Sequence, residues 1–289
     1  MMNKVCIIGV GLIGGSLAKA MIRTQQAKHV VGFGRDAQRL KAAQNSGIIT
    51  DYSTDIEEAL DGADMVVIAT PVGSFESILK IIQPYVRAST IISDVGSTKG
   101  SVIKVAESVF GSLPSNFVPA HPIAGKEKSG FEVSDSELFV GRKVIITPTE
   151  SSAPEAVEKV KSVWQAVGAT VDMMSAASHD ELLGMTSHLP HMLAFSIINY
   201  LISQNPNASL YAAGGFRDFS RIASGDPIMW RDICLNNKQA IVNHIKGYRD
   251  TLDNLRSEEH TSELQSRRNL VCRLLPEKKN QPTPLPPPA

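Results

Sequence analysis

The residues able to do chemistry fall in a few short stretches. Near the start, Lys4-Val5-Cys6-Ile7-Ile8 runs into Gly9-x-Gly11-x-x-Gly14. An apolar strand, then spaced glycines, then a helical pattern is the sequence form of a dinucleotide-binding turn. Gly9 permits the tight turn, Gly11 lets the backbone approach a pyrophosphate, and Gly14 lets the helix close on the strand. Leu12 and Ile13 open the helix whose first N–H groups face the phosphates. Far downstream stands His121, in His121-Pro122-Ile123-Ala124-Gly125-Lys126-Glu127-Lys128-Ser129-Gly130. A histidine at the carboxyl end of a strand, close to such a cofactor, suits a general base, because its ordinary pKa lies near neutrality. Two further stretches are His188-Leu189-Pro190-His191 and Gly214-Gly215-Phe216-Arg217-Asp218-Phe219-Ser220-Arg221-Ile222-Ala223. An arginine fork matches a carboxylate, so the last of these reads as an anchor for an anionic substrate.

Supporting positions follow from the same logic. A strand that ends in an acid would hold the ribose 2′-hydroxyl of NAD. Here Gly34 holds that position and Arg35 and Asp36 follow. Arg35 accommodates a 2′-phosphate and favours NADP, while Asp36 reads as a helix cap able to turn to the ribose, so NAD and NADP both stay open. Thr70 and Pro71 close another strand, where they would wall the nicotinamide. In Asp94-Val95-Gly96-Ser97-Thr98-Lys99, Ser97 is either a helix cap or a site hydroxyl, and Lys99 reads as solvated or phosphate-facing. His188 and His191 share a helix face. They lack a third ligand at metal-binding spacing, so no metal is expected, and His188 reads as a packing histidine.

These residues need elements to position them. Residues 5–10, 30–33, 65–70, 90–95, 117–120 and 143–147 are apolar on consecutive positions, as strands buried on both faces of a parallel sheet are. Helical patterns at 13–25, 37–46, 75–83 and 99–109 alternate with them. The expected fold is α/β: a doubly wound, mostly parallel dinucleotide-binding (Rossmann-type) sheet followed by an all-helical domain. Residues 1–150 form the dinucleotide-binding domain, 151–174 the end of the sheet domain and a connector, and 175–255 a helical domain. Within the latter, Pro190 should kink or locally loosen a long helix, and Asp226-Pro227 should start another.

Bulk properties narrow the function. The 289 residues carry 29 Lys+Arg against 29 Asp+Glu, with 43% hydrophobic and 20% charged residues. With no basic excess, the expected partner is a small molecule and neither nucleic acid nor membrane. Cys6, Cys234 and Cys272 form no disulfide framework. No leader or membrane-length apolar run is evident, so the chain reads as cytoplasmic. Residues 256–289 break the pattern. Arg256-Ser257-Glu258-Glu259-His260-Thr261-Ser262-Glu263-Leu264-Gln265-Ser266 resembles one reading frame of a common DNA-sequencing adapter, and the chain ends in a proline-rich run. The expectation is a non-native tail after Leu255, with a natural disordered extension as the alternative.

Taken together, the glycine turn, the His121–Gly130, His188–His191 and Gly214–Ala223 segments resemble the prephenate/arogenate (cyclohexadienyl) dehydrogenases of tyrosine biosynthesis, over roughly residues 4–255. The resemblance implies oxidative decarboxylation of prephenate, or of arogenate, with NAD(P). His121 would be the catalytic base, and Ser97 would bond both His121 and the substrate hydroxyl. His191 would reach the substrate side chain and Arg221 a carboxylate, with Asp218, Asp180 and Trp230 at the substrate pocket. A homodimer built on the helical domain is implied as well. Another two-domain β-hydroxyacid dehydrogenase would place a lysine on the first long helix after residue 175, and residues 175–204 contain none. A cofactor-binding module without catalysis would not need Ser97, His121, His191 and Arg221 together.

Overall fold

A computed structural model describes residues 1–258, without the side chains of Ser209, Asp218, Ser257 and Glu258. The expectations for the tail beyond residue 258 lie outside the described residues. The chain begins with β1 (Met2–Ile8), α1 (Leu12–Arg23), β2 (Ala27–Phe33), α2 (Ala37–Asn45), β3 (Asp51–Ser53), α3 (Ile56–Leu60) and β4 (Met65–Ile68). After a 3₁₀ turn at Val72–Ser74 come α4 (Phe75–Ile82), β5 (Ile91–Asp94), α5 (Gly100–Phe110) and β6 (Phe117–Val118). These strands form one six-stranded sheet in the order β3-β2-β1-β4-β5-β6, parallel throughout.

The consecutive apolar runs have a direct cause. Val5 and Ile7 of β1 and Met65 and Val67 of β4 pack with Leu17 and Met21 on one face. Cys6, Ile8, Val66 and Ile68 pack with Phe75, Leu79 and Phe117 on the other. A strand covered on both faces has no polar side to show. The order reverses between β1 and β4, and ligands settle at the carboxyl ends beside such a switch. The register pairs Ile8 with Ile68 and Ile68 with Asp94. The segments after Ile8, Ile68 and Asp94 therefore emerge side by side.

A second, three-stranded sheet follows, ordered β7-β8-β9, from β7 (Ala120–Pro122), β8 (Lys143–Ile146) and β9 (Thr170–Met173), with α6 (Pro154–Ala166) between the last two. The single strand expected at 117–120 is divided here. Pro119 has no N–H for a ladder, and the chain changes sheets across it. His121 thus lies inside β7, opposite Ile145 of antiparallel β8, and not in a loop beyond a strand.

The helical part runs α7 (Ala176–Leu183), a π-helical segment Gly184–His188, α8 (Leu189–Gln204), a 3₁₀ turn Ala208–Tyr211, α9 (Gly214–Ile222), α10 (Pro227–Asn236) and α11 (Lys238–Glu258). Pro190 stands in the first turn of α8. The helix loosens before it by widening, without a kink: the Leu189 N–H reaches back five residues to the Gly184 carbonyl. That register accommodates a proline with neither N–H nor room for an α-type carbonyl contact. Asp226 caps α10 as expected, accepting from the N–H groups of Ile228 and Met229. Contacts divide the chain into two units, residues 1–244 and residues from 245 onward. In the second, the described residues are the continuing turns of α11. Among the described residues no helix is long and apolar enough to cross a membrane.

Candidate active site

The glycine turn takes the form its spacing requires. Gly9 has φ +94°, and a Cβ there would stand 2.8 Å from Cγ2 of Thr70 and 2.9 Å from the Ala69 carbonyl oxygen. A Cβ on Gly14 would stand 2.2 Å from the Gly9 carbonyl oxygen. A Cβ on Gly11 would meet nothing within 4 Å. The backbone there borders open space at the start of α1, whose N-cap is Gly11 and whose first turn carries no acid. An anion fits such a place, because the first N–H groups of the helix have no partners within it. Arg35 is exposed just past β2. Asp36 accepts from the N–H groups of Gln38 and Arg39, so its carboxylate serves as the cap of α2. Thr70 bonds Ser74 Oγ at 2.8 Å and, with Pro71, forms the wall beside Gly9.

A cavity of about 240 Å³ opens from this turn. Leu12 and Ile13 line it from the cofactor side, Ser97, His121 and Lys126 from the sheet domain, and Ser187, His188 and Trp230 from the helical part. Ser97 is not a helix cap. The N-cap of α5 is Lys99, with no side-chain cap of its own. The N–H groups of Lys99 and Gly100 instead donate to the two carboxylate oxygens of Asp180, each at 2.8 Å. Ser97 is therefore left facing the cavity. Lys99 corrects the expectation for it: its side chain is fully buried and paired with Asp94, neither solvated nor turned to phosphate.

His121 is only 9% exposed. Its Nδ1 lies 2.9 Å from Nε2 of His179, and His179 Nδ1 lies 2.8 Å from Oδ1 of Asp180. The tautomers follow from the partners. Asp180 accepts on both oxygens, so it is the carboxylate, and its pKa is lowered: burial acts to raise it but is outweighed by the bonds from His179, Lys99 and Gly100. With His179 neutral, it donates from Nδ1 and accepts on Nε2, and His121 donates from Nδ1. That leaves the lone pair of His121 on Nε2, the form a base requires. Burial, followed by the neighbouring His179, Lys99 and His188, holds His121 well below the ordinary histidine pKa. Asp180 takes a supporting place. Its oxygens orient His179 and cap α5, and it does not line the cavity. His179 was missed because its partner is 58 positions away, and nothing local marks it.

His188 accepts on Nδ1 from the amide of Asn237 at 3.0 Å, while the same amide nitrogen donates to the Asp180 carbonyl at 2.7 Å. The neutral ring then carries its proton on Nε2. Burial pushes its pKa down to about 4. His188 packs edge-on against Trp230 and also lines the cavity. His191 donates from Nδ1 to the Ser187 carbonyl at 2.8 Å and stacks on Trp230, ring centres 3.6 Å apart. Burial lowers its pKa as well, against the bond to Ser187. Arg221 is exposed and pairs with Glu127 at 2.9 Å. His191 and Arg221 border the region without lining the cavity itself. The side chain of Asp218 lies outside the described residues.

A dinucleotide turn, an oriented neutral histidine and a free hydroxyl at one cavity are the parts of a nicotinamide-dependent dehydrogenase acting on an alcohol. The family profile of the prephenate dehydrogenase nucleotide-binding domain matches residues 17–173, and that of the prephenate dehydrogenase dimerization domain matches residues 175–270. The chain belongs to the prephenate dehydrogenase family. It is 35% identical over 263 residues to a prephenate dehydrogenase of Bacillus subtilis, covering 89% of this chain and 70% of that protein. It is 34% identical over 250 residues to a cyclohexadienyl dehydrogenase of Zymomonas mobilis, covering 83% of each. Prephenate dehydrogenase from Aquifex aeolicus, solved in complex with hydroxyphenyl propionate and NAD+, superposes with a TM-score of 0.86 at 38% identity, covering 92% of this chain and 94% of that one.

Proposed function

We propose that this chain catalyses the oxidative decarboxylation of prephenate to 4-hydroxyphenylpyruvate, with arogenate, giving tyrosine, as the close variant substrate. The observation that carries the reading is the Asp180–His179–His121 chain, which leaves an unprotonated Nε2 at a cavity shared with Ser97 and the glycine turn. His121 takes the proton of the ring hydroxyl. Ser97 orients that hydroxyl, His191 meets the side chain, and Arg221 anchors a carboxylate, with Asp218 as a partner aspartate. Trp230 closes the wall, and Gly9, Gly11, Leu12, Ile13, Gly14, Thr70 and Pro71 hold the dinucleotide. When bound, the nicotinamide supplies the hydride acceptor. Loss of CO2 aromatises the ring and makes the reaction effectively irreversible. The protein contributes position and charge.

On the cofactor, Arg35 supports NADP, since Asp36 is committed to its cap. The Aquifex complex contains NAD+, so NAD belongs in the comparison. Residues 1–150 serve the cofactor and residues 175–255 the substrate and self-association, with the chain acting as a cytoplasmic homodimer. An initial-rate matrix of prephenate and arogenate against NAD and NADP tests the reading. Turnover of neither substrate with either cofactor would overturn it. Arg35→Ala should weaken NADP by ~1.5–3 kcal/mol, the cost of a charge-assisted bond, and leave NAD nearly unchanged. Equal losses for the two cofactors would make Arg35 structural only.

A further inference from the structure

Behind the cavity lie two charges that the reaction does not consume. Lys99 and Asp94 are each 0% exposed, and Nζ of Lys99 donates to Oδ2 of Asp94. Taking both ions out of water costs several kcal/mol apiece, and an apolar pair of similar size often packs as stably. What distinguishes this pair is where its remaining bonds go. Nζ of Lys99 also donates to the Ala120 carbonyl at 2.7 Å. Asp94 accepts from the Ala120 N–H at 3.2 Å and from the Gly96 N–H at 2.7 Å. Both backbone groups of Ala120 are thus held by the two halves of one ion pair. Ala120 is bonded to His121, and Gly96 is bonded to Ser97. The Lys99 N–H additionally holds Asp180, the carboxylate that orients His179.

We propose that Lys99 and Asp94 are positioning residues for the reaction: the buried pair locks the β5 end that carries Ser97 against the β7 strand that carries His121. The inference rests on the reading of His121 as the base. It has an electrostatic side as well. The groups facing His121 are His179 and Asp180 from α7, His188 from the π segment, and Lys99 with its partner Asp94. The Lys99 ammonium is one of the charges that disfavour protonation of His121, after burial and His179. Removing it must move His121 toward the ordinary histidine value.

The test compares wild type, Lys99→Met and the double variant Asp94→Asn/Lys99→Met. The double variant leaves no lone buried charge and so carries the test if the single variant does not fold. Each is followed by dinucleotide affinity, by the kcat and KM split with prephenate, and by NMR titration of the His121 ring. The expected result is cofactor affinity within about twofold of wild type and kcat lower by about tenfold or more at little-changed KM. In Lys99→Met His121 should titrate at higher pH than in wild type, shifting the acid limb of kcat/KM the same way; in the double variant, loss of the opposing Asp94 charge should make that shift smaller. Wild-type kcat in the double variant would overturn the proposal. So would a wild-type His121 that titrates at or above the ordinary histidine value, which needs no variant. Absence of turnover in the wild type would sink the functional reading, while the NMR titration would still decide the positioning role.

Discussion

Among single residues, catalysis turns on the lone pair of His121. A base held well below its ordinary pKa by burial stays unprotonated, and so active, as the medium turns mildly acid. The kcat/KM profile should therefore remain flat through pH 6.5 and fall only at lower pH. His121→Asn should keep dinucleotide binding and lose turnover by ~10²-fold or more, the size of a general-base contribution. Near-normal kcat in that variant would remove His121 from the mechanism. Arg221→Ala should raise KM more than it lowers kcat, because a carboxylate anchor gives mostly uniform binding. Its pair with Glu127 is 60% exposed on both sides, so thermal stability should hold; exposed pairs contribute only about 0–1 kcal/mol. A fall in kcat alone would show Arg221 acting on the transition state. His121 and the glycines were legible in sequence because each announces its chemistry locally. His179 was not, nor were the parts that Asp180 and Lys99 play. The Lys99–Asp180 bond joins positions 81 apart, and only the fold reveals that a surface-looking lysine is a buried strut.

At the element scale, sequence logic worked best where a strand is apolar throughout and least where one residue redirects the chain. Periodicity located five of the six strands of the main sheet, yet it ran 117–120 together, because Pro119 is apolar and hides the change of sheet. It also missed β3 and β9, which are short and partly exposed. Pro190 gave the location and, of the two consequences expected of it, the loosening: a π-helical widening stands before it in place of a kink. This register has a functional side, since Ser187 and His188 of the widened segment line the cavity. Pro190→Ala restores an N–H donor and removes the ring clash. If the proline imposes the widening, the segment should return to α register and rotate His188 out of the wall. The expected outcome is a drop of about tenfold in kcat/KM, ~1.4 kcal/mol, at unchanged dinucleotide affinity. Unchanged kinetics would mean that the bonds of His188 to Asn237 and its packing on Trp230 hold the register without the proline.

At the scale of the whole molecule, α8 poses the largest unmet demand. Its sequence, LPHMLAFSIINYLISQ, is apolar over most of its length, yet only Ala194 is buried. A helix apolar all round belongs inside a core. Within the first unit, Ile197, Tyr200 and Ile202 of α8, Leu210 and Tyr211 after it, and Leu235 of α10 are all exposed, Tyr211 to 85%. Exposed apolar side chains in this number suit an association face, and the matched family domain is named for dimerization. The expectation is a homodimer in solution, visible by sedimentation at micromolar concentration, with a Tm that rises with protein concentration because association is linked to folding. Ile202→Asp should weaken it strongly. Across a two-fold interface one substitution acts twice, and each lost apolar contact of this size removes roughly 1.5–3 kcal/mol before the cost of burying a charge. The cavity lies among residues of one chain, so a monomeric variant that keeps cofactor affinity would assign the apolar face to assembly alone. A wild-type protein that sediments as a monomer, with a Tm independent of concentration, would instead require another cover for α8.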